Sequence, residues 1–138
     1  MNTIKQQNSV NKPNGAGIGR IFKATHCSFK GLSAAWQYES AFRQELTLAI
    51  ILLPFAFILA SSNHHLLMLI SCLTLILFAE IINSALEALA DAITLEHHTL
   101  IGRAKDMGSA AVFIALSLTA IVWGQAIYQY FFDIFVLI

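Results

Sequence analysis

Residues 79–91 read Ala79-Glu80-Ile81-Ile82-Asn83-Ser84-Ala85-Leu86-Glu87-Ala88-Leu89-Ala90-Asp91, and they continue an apolar run that begins at Leu66. Glu80, Asn83, Glu87 and Asp91 stand at i, i+3, i+7 and i+11. At about 100° per residue these offsets place all four within a sector of roughly 80° on one helix face. Ser84 joins that face, and Leu77, Ile81, Leu86 and Leu89 occupy the rest of the surface. Carboxylates inside a stretch this apolar are costly in a bilayer and mark a functional site by default.

The surrounding chain makes the membrane reading general. Of its 138 residues, 57% are hydrophobic and 12% charged, about half the charge of an ordinary soluble domain. Apart from Thr47, residues 46–60 are wholly apolar, and counting from Ala41 gives the roughly 20 residues a span needs. Pro54 lies inside this run, where neighbouring helices tolerate it. Residues 61–65, Ser-Ser-Asn-His-His, are expected to form a short turn. Residues 66–93 form a second span, 94–106 a polar loop, and 107–132 a third span. Gly108, Ser109, Ala110, Ala111 and Ala115 in the third span allow close helix packing. Trp123, Tyr128 and Tyr130 are expected to form an aromatic belt at its far end. Residues 133–138 complete the C-terminal end.

Ahead of the spans, residues 18–38 place Ile18, Ile21, Phe22, Thr25, Phe29, Leu32 and Trp36 on one face, with Arg20, Lys23, His26 and Lys30 elsewhere. That is the pattern of a basic amphipathic helix lying in a membrane interface. Residues 1–17 are polar and lack the apolar core of a signal peptide, so they read as a disordered tail. The expected fold class is therefore an all-α membrane protein: an N-terminal interfacial helix and three transmembrane helices in one domain, residues 18–132.

Charge distribution orients it. Six of the eight Lys and Arg residues precede residue 44, and the other two are Arg103 and Lys105. The positive-inside rule places the N-terminus and the 94–106 loop in the cytoplasm, with the 61–65 turn and the C-terminus on the periplasmic side. Glu39, Arg43, Glu80, Glu87, Asp91, Glu96, His98, Arg103, Lys105 and Asp106 then meet at one membrane surface. Charges that need protein or water around them favour oligomerisation. No basic patch indicates a nucleic acid partner, and Cys27 and Cys72 lie in different segments without CxxC spacing, which suggests neither a disulfide framework nor a zinc site.

Carboxylates at such a surface hold a hard cation such as Mg²⁺ together with substrate phosphates. A further carboxylate can act as a base, and Lys105 or Arg103 can neutralise phosphate oxygens. Those are the parts of phosphoryl transfer, although no Walker or dinucleotide-binding glycine motif is present. A non-enzymatic ion or proton pathway is the alternative. The outer half of the second span offers only Ser71 and Thr74 to line it.

Glu80-Ile81-Ile82-Asn83-Ser84-Ala85-Leu86-Glu87 and Gly102-Arg103-Ala104-Lys105-Asp106-Met107-Gly108-Ser109-Ala110-Ala111 closely resemble the two signature segments of the prokaryotic diacylglycerol kinase family. Lys30-Gly31-Leu32, Ala34-Ala35-Trp36 and Glu39 to Glu45 resemble its N-terminal part. The likeness implies a homotrimeric enzyme of the bacterial inner membrane that transfers the γ-phosphate of MgATP to diacylglycerol, giving phosphatidic acid. It implies Glu80 as general base, with Asn83 orienting Glu80 or Glu87, Lys105 near the phosphates, and Glu39 and Glu87 holding the metal. It implies nucleotide contacts at Arg20, Cys27, Glu39, Glu87, Glu96, His97, His98, Lys105 and Asp106. It implies lipid contacts at Ala24, Phe29, Ser33, Trp36, Ala41, Arg43, Glu45, Glu80 and Ser109. Cys27, Phe29 and His97 depart from the residues common in the family. Relatives that phosphorylate undecaprenol are the alternative within it, but they differ around Phe42-Arg43-Gln44-Glu45.

Overall fold

A computed structural model of the chain describes residues 18–136. The expected tail at 1–17 and the last two residues of the 133–138 segment lie outside the described residues. Four helices account for the rest: α1 (Ile18–Tyr38), α2 (Ser40–Leu59), α3 (Asn63–Ile93) and α4 (Thr99–Val136). The described residues contain no strand. α2, α3 and α4 are each long and apolar enough to cross a membrane.

The chain divides into two compact units, one ending at Ser33 and one beginning at Ala34. Within the first, every described residue is exposed, including Ile21, Phe22 and Phe29. The Thr25 and Ser28 hydroxyls donate back to the carbonyls of Ile21 and Ala24, at 2.9 and 3.1 Å. Each hydroxyl shares a carbonyl that the helix also uses, which satisfies the side chain at a slight cost to the helix.

The second unit is an up-down-up bundle. The end of α2, the start of α3 and the far half of α4 share a core of Ala56, Leu69, Cys72, Leu73, Trp123 and Ala126. Further along, Ile76 and Ala79 of α3 meet Ala115 of α4, with Val112 against them. α3 packs most extensively on α4 and less on α2. Two side chains stitch α4 to the backbone of α3. Thr119 Oγ1 donates to the carbonyls of Cys72 and Ala115, and Trp123 Nε1 donates to the Leu69 carbonyl at 3.3 Å. Between apolar helices in lipid, packing and such bonds supply the association that hydrophobicity does not. Ala126 is wholly enclosed, so Ala126→Leu overfills the α3–α4 seam. It is expected to cost about 1–3 kcal/mol, read as a lower unfolding midpoint in detergent micelles.

Three expectations need correction. The turn before α3 is shorter than 61–65, because Ser62 caps the helix and its Oγ accepts from the His65 N–H at 3.2 Å. His65 Nδ1 in turn accepts from the Ser61 N–H at 3.2 Å, so Asn63 to His65 belong to the first turn of α3. The 94–106 loop is also shorter: α4 begins at Thr99, and the Gly102 N–H already bonds to the His98 carbonyl at 2.9 Å. Arg103, Ala104 and Lys105 are good helix formers, and polarity there marks a change of solvent, not the end of helix. Trp123, finally, is buried rather than belted. Its indole N–H needs a partner in an apolar setting, and the Leu69 carbonyl provides one. Tyr128 remains exposed.

Candidate active site

At the end of the bundle where α2 begins, α3 nears its close and α4 starts, a cleft of about 460 Å³ opens. Glu39, Ala41, Glu45, Glu80, Asn83, Glu87 and Ser109 line it, each a residue singled out from the sequence. Val112, Phe113 and Leu116 of α4 form its apolar wall.

Each polar group is placed by local structure. Glu39 is the single extended residue between α1 and α2, with φ −105° and ψ 113°. Arg43 secures that junction: its Nη1 donates to the Trp36 and Gln37 carbonyls at 2.9 and 3.3 Å. A cation on the last carbonyls of a helix satisfies orphan acceptors and meets the negative end of the dipole. Arg43 therefore caps α1. Glu39 and Arg43 make no ion pair; among the described residues the ion pair found joins Lys105 to Asp91.

On α3 the helical repeat stacks the polar side chains. Glu80 is 4% exposed and Asn83 9%. The Asn83 Nδ2 donates to Glu87 Oε1 at 3.0 Å, and Ser84 Oγ donates to Glu80 Oε1 at 3.5 Å, the long end of hydrogen bonding. Glu45 Oε2 and Asn83 Oδ1 are buried without a partner among the described residues. Buried acceptors left open in a native site call for an explanation in chemistry or in a bound group.

Four carboxylates converge on this cleft, and like charges this close need a proton or a cation between them. The oxygen-only donor set fits a hard divalent cation. No cluster of three or more His, Cys, Asp or Glu residues suited to a metal occurs among the described residues.

The remaining candidates fall in two other places. Glu96, His97, His98 and Lys105 line a smaller recess of about 160 Å³ with Asp91, and Lys105 Nζ bonds to Asp91 Oδ1 at 3.0 Å. Asp106 is exposed on α4 and lines neither recess nor cleft. Arg20, Ala24 and Cys27 share a depression on α1 with Lys23, while Phe29, Ser33 and Trp36 are exposed on the same helix. Sequence reasoning missed the part played by the α4 wall. It also missed an apolar crevice of about 280 Å³ that shares Glu45 and Leu116 with the cleft and runs along Thr119 to Trp123. The signal was present, since Ala115, Thr119 and Ala126 repeat at helical spacing on the face that Trp123 extends.

These helices and this cleft define a small multi-span membrane protein with its polar chemistry gathered at one end of the bundle. The chain belongs to the prokaryotic diacylglycerol kinase family, whose description matches residues 26–127. It is similar to the diacylglycerol kinase of Escherichia coli K12, with 45% identity over 118 residues that cover 86% of this chain and 97% of the relative. It is likewise similar to the diacylglycerol kinase of Haemophilus influenzae, at 43% over 112 residues, 81% and 95% of the two chains. With that of Pseudomonas aeruginosa the identity is 44% over 107 residues, 78% and 87% of the two chains.

Proposed function

We propose that this protein phosphorylates diacylglycerol with ATP, giving phosphatidic acid and ADP, at the cytoplasmic face of a bacterial inner membrane. The observation that carries the reading is the convergence of Glu39, Glu80, Asn83 and Glu87 in one cleft, within a chain belonging to a lipid kinase family. Glu80, the carboxylate set furthest into the apolar part of α3, accepts the proton from the lipid's free hydroxyl. The hydroxyl oxygen forms its bond to the γ-phosphorus as the bond from that phosphorus to the ADP oxygen breaks. A divalent cation such as Mg²⁺ would supply charge to offset what builds on the phosphate oxygens. Glu39 and Glu87 would hold that ion, and Asn83 fixes the rotamer of Glu87 through its Nδ2 donor. Lys105, Glu96, His97 and His98 receive the nucleotide at the recess they share, and the family likeness suggests Asp106, Arg20 and Cys27 as further nucleotide contacts. The family likeness suggests lipid contacts at Ala24, Phe29, Ser33, Trp36, Ala41, Arg43, Glu45 and Ser109, with Arg43 acting through the junction that it caps.

The assembly is a homotrimer with the N-terminus cytoplasmic and the C-terminus periplasmic. Partial enclosure of the cleft by one chain supports an assembly that completes it, and cross-linking in micelles reads the number of protomers.

The test is transfer of labelled phosphate from ATP to diacylglycerol in mixed micelles, with undecaprenol as competitor. Phosphatidic acid as the main product supports the reading. Preferential labelling of the polyprenol reassigns the acceptor, and no labelled lipid from folded protein rejects kinase activity. An ion pathway finds no support in the outer half of α3, where Thr74 Oγ1 is engaged with its own helix at the Ile70 carbonyl.

A further inference from the structure

We propose that Gly108 is a positioning residue for the reaction: its missing side chain seats the Asn83 carboxamide, which in turn aims Glu87. The inference rests on the reading of Glu87 as a metal-holding carboxylate.

The geometry starts from what Asn83 must do. A carboxylate only accepts hydrogen bonds, so the Asn83 amide nitrogen is the end that faces Glu87 Oε1, at 3.0 Å. The carbonyl end is thereby turned toward α4. There Asn83 Oδ1 is buried and has no hydrogen-bond partner among the described residues. No donor holds this end of the amide, so its position is set by the surface against which it packs.

That surface is Gly108. A Cβ built on Gly108 falls 2.5 Å from Asn83 Oδ1, 3.3 Å from Leu86 Cδ1 and 3.5 Å from Asn83 Cγ. The three nearest atoms belong to side chains, so the backbones of α3 and α4 are not what exclude a methyl group. An added methyl makes the carboxamide retreat by about half an ångström or more, and a two-torsion side chain can do so without separating the helices. The bond to Glu87 is what it gives up. Gly19, Gly31, Gly102 and Gly124 have no heavy atom outside their own helix turn within 4 Å of the same constructed position, so among the described glycines this demand falls on Gly108. Glycine is otherwise a poor choice inside a helix.

A small residue that only eases helix packing predicts lost stability and a general loss of function. A seat for Asn83 predicts the reverse: intact folding with a selective defect in the metal step. The full-length protein in mixed micelles is assayed as wild type, Gly108→Ala, Gly124→Ala, Asn83→Ala and the Gly108→Ala/Asn83→Ala pair. Gly108→Ala is expected to lower kcat by about 10- to 100-fold, the scale of a misplacement near 1 Å. The Mg²⁺ concentration for half-maximal rate should rise severalfold, with the KM for diacylglycerol and the unfolding midpoint unchanged. Gly124→Ala should match wild type. Once Asn83 is alanine the 2.5 Å obstruction is gone and only the flexible end of Leu86, at 3.3 Å, has to give, so adding Gly108→Ala should change the residual rate by less than about twofold, a non-additive pair.

Wild-type kinetics in Gly108→Ala, where Asn83→Ala is impaired, overturn the inference and leave the site reading standing. Additive losses in the pair, or a Gly108→Ala protein that does not fold, also overturn it, because the obstruction then lies in helix packing. Full activity of Asn83→Ala overturns instead the reading of the site itself.

Discussion

Glu80→Gln is expected to stop phosphoryl transfer while leaving the nucleotide bound. The substitution keeps the volume of a side chain that is only 4% exposed, and the amide oxygen can still accept from Ser84 Oγ, as Glu80 Oε1 does. What it removes is the capacity to take a proton. General-base catalysis contributes about 10²- to 10⁴-fold, so kcat should fall in that range with little change in the KM for ATP. An interaction made only as the proton moves lowers kcat and kcat/KM together. Single-turnover measurement in micelles, with ATP binding followed separately, distinguishes the two steps. Turnover near wild type removes Glu80 from the role of base.

Glu87→Gln carries the second large effect and a different signature. The glutamine carbonyl oxygen still accepts from Asn83 Nδ2, the bond that Glu87 makes at 3.0 Å, so the geometry of the α3 face is preserved and one negative charge is lost. Even groups that only orient a metal ligand are worth about 10- to 100-fold in metal affinity or activity. Loss of a ligand's charge should therefore cost on the order of 100-fold at limiting Mg²⁺. Raising Mg²⁺ should recover part of the rate for Glu87→Gln, whereas Glu80→Gln should be insensitive to it. A titration of initial rate against Mg²⁺ for both variants makes the comparison. Equal metal dependence in Glu87→Gln and wild type takes the ion away from Glu87.

The polar face of α3 was legible because helical periodicity is fixed by backbone geometry. Offsets of three and seven put Glu80, Asn83 and Glu87 on one side whatever else the chain does. The three spans were legible for a similar reason, since length and apolar content are local properties. Topology then brought Glu39 and Ser109 to the same end as Glu80, and the structure places all of them in one cleft. What sequence could not show depends on approach between helices. The closeness of Gly108 to Asn83 is a matter of interaxial distance, and in sequence Gly108 reads simply as one of several small residues. Trp123 was misread because an aromatic near a span's end fits two environments. The Leu69 carbonyl that selects the buried one lies 54 residues away. The start of α4 is hidden in the sequence because charge clustered between spans signals a loop, while Arg103 and Lys105 in fact belong to the helix.

The continuity of α3 has a consequence for what evolution can alter. The helix runs unbroken from Asn63 to Ile93, so the interval from Glu80 to Glu87 is a ruler of two turns, roughly 10 Å along the axis. Its divisions are coarse. One inserted residue swings the far carboxylate about 100° around the helix, and lengthening by a turn, which nearly restores the face, adds about 5 Å. Reacting atoms must meet within about 3–3.5 Å, so no small adjustment of this interval is available. Any tuning to a different donor or acceptor falls to the groups set against the ruler, on α2, α4 and the junction at Glu39. Those are the parts free to vary around a fixed scale.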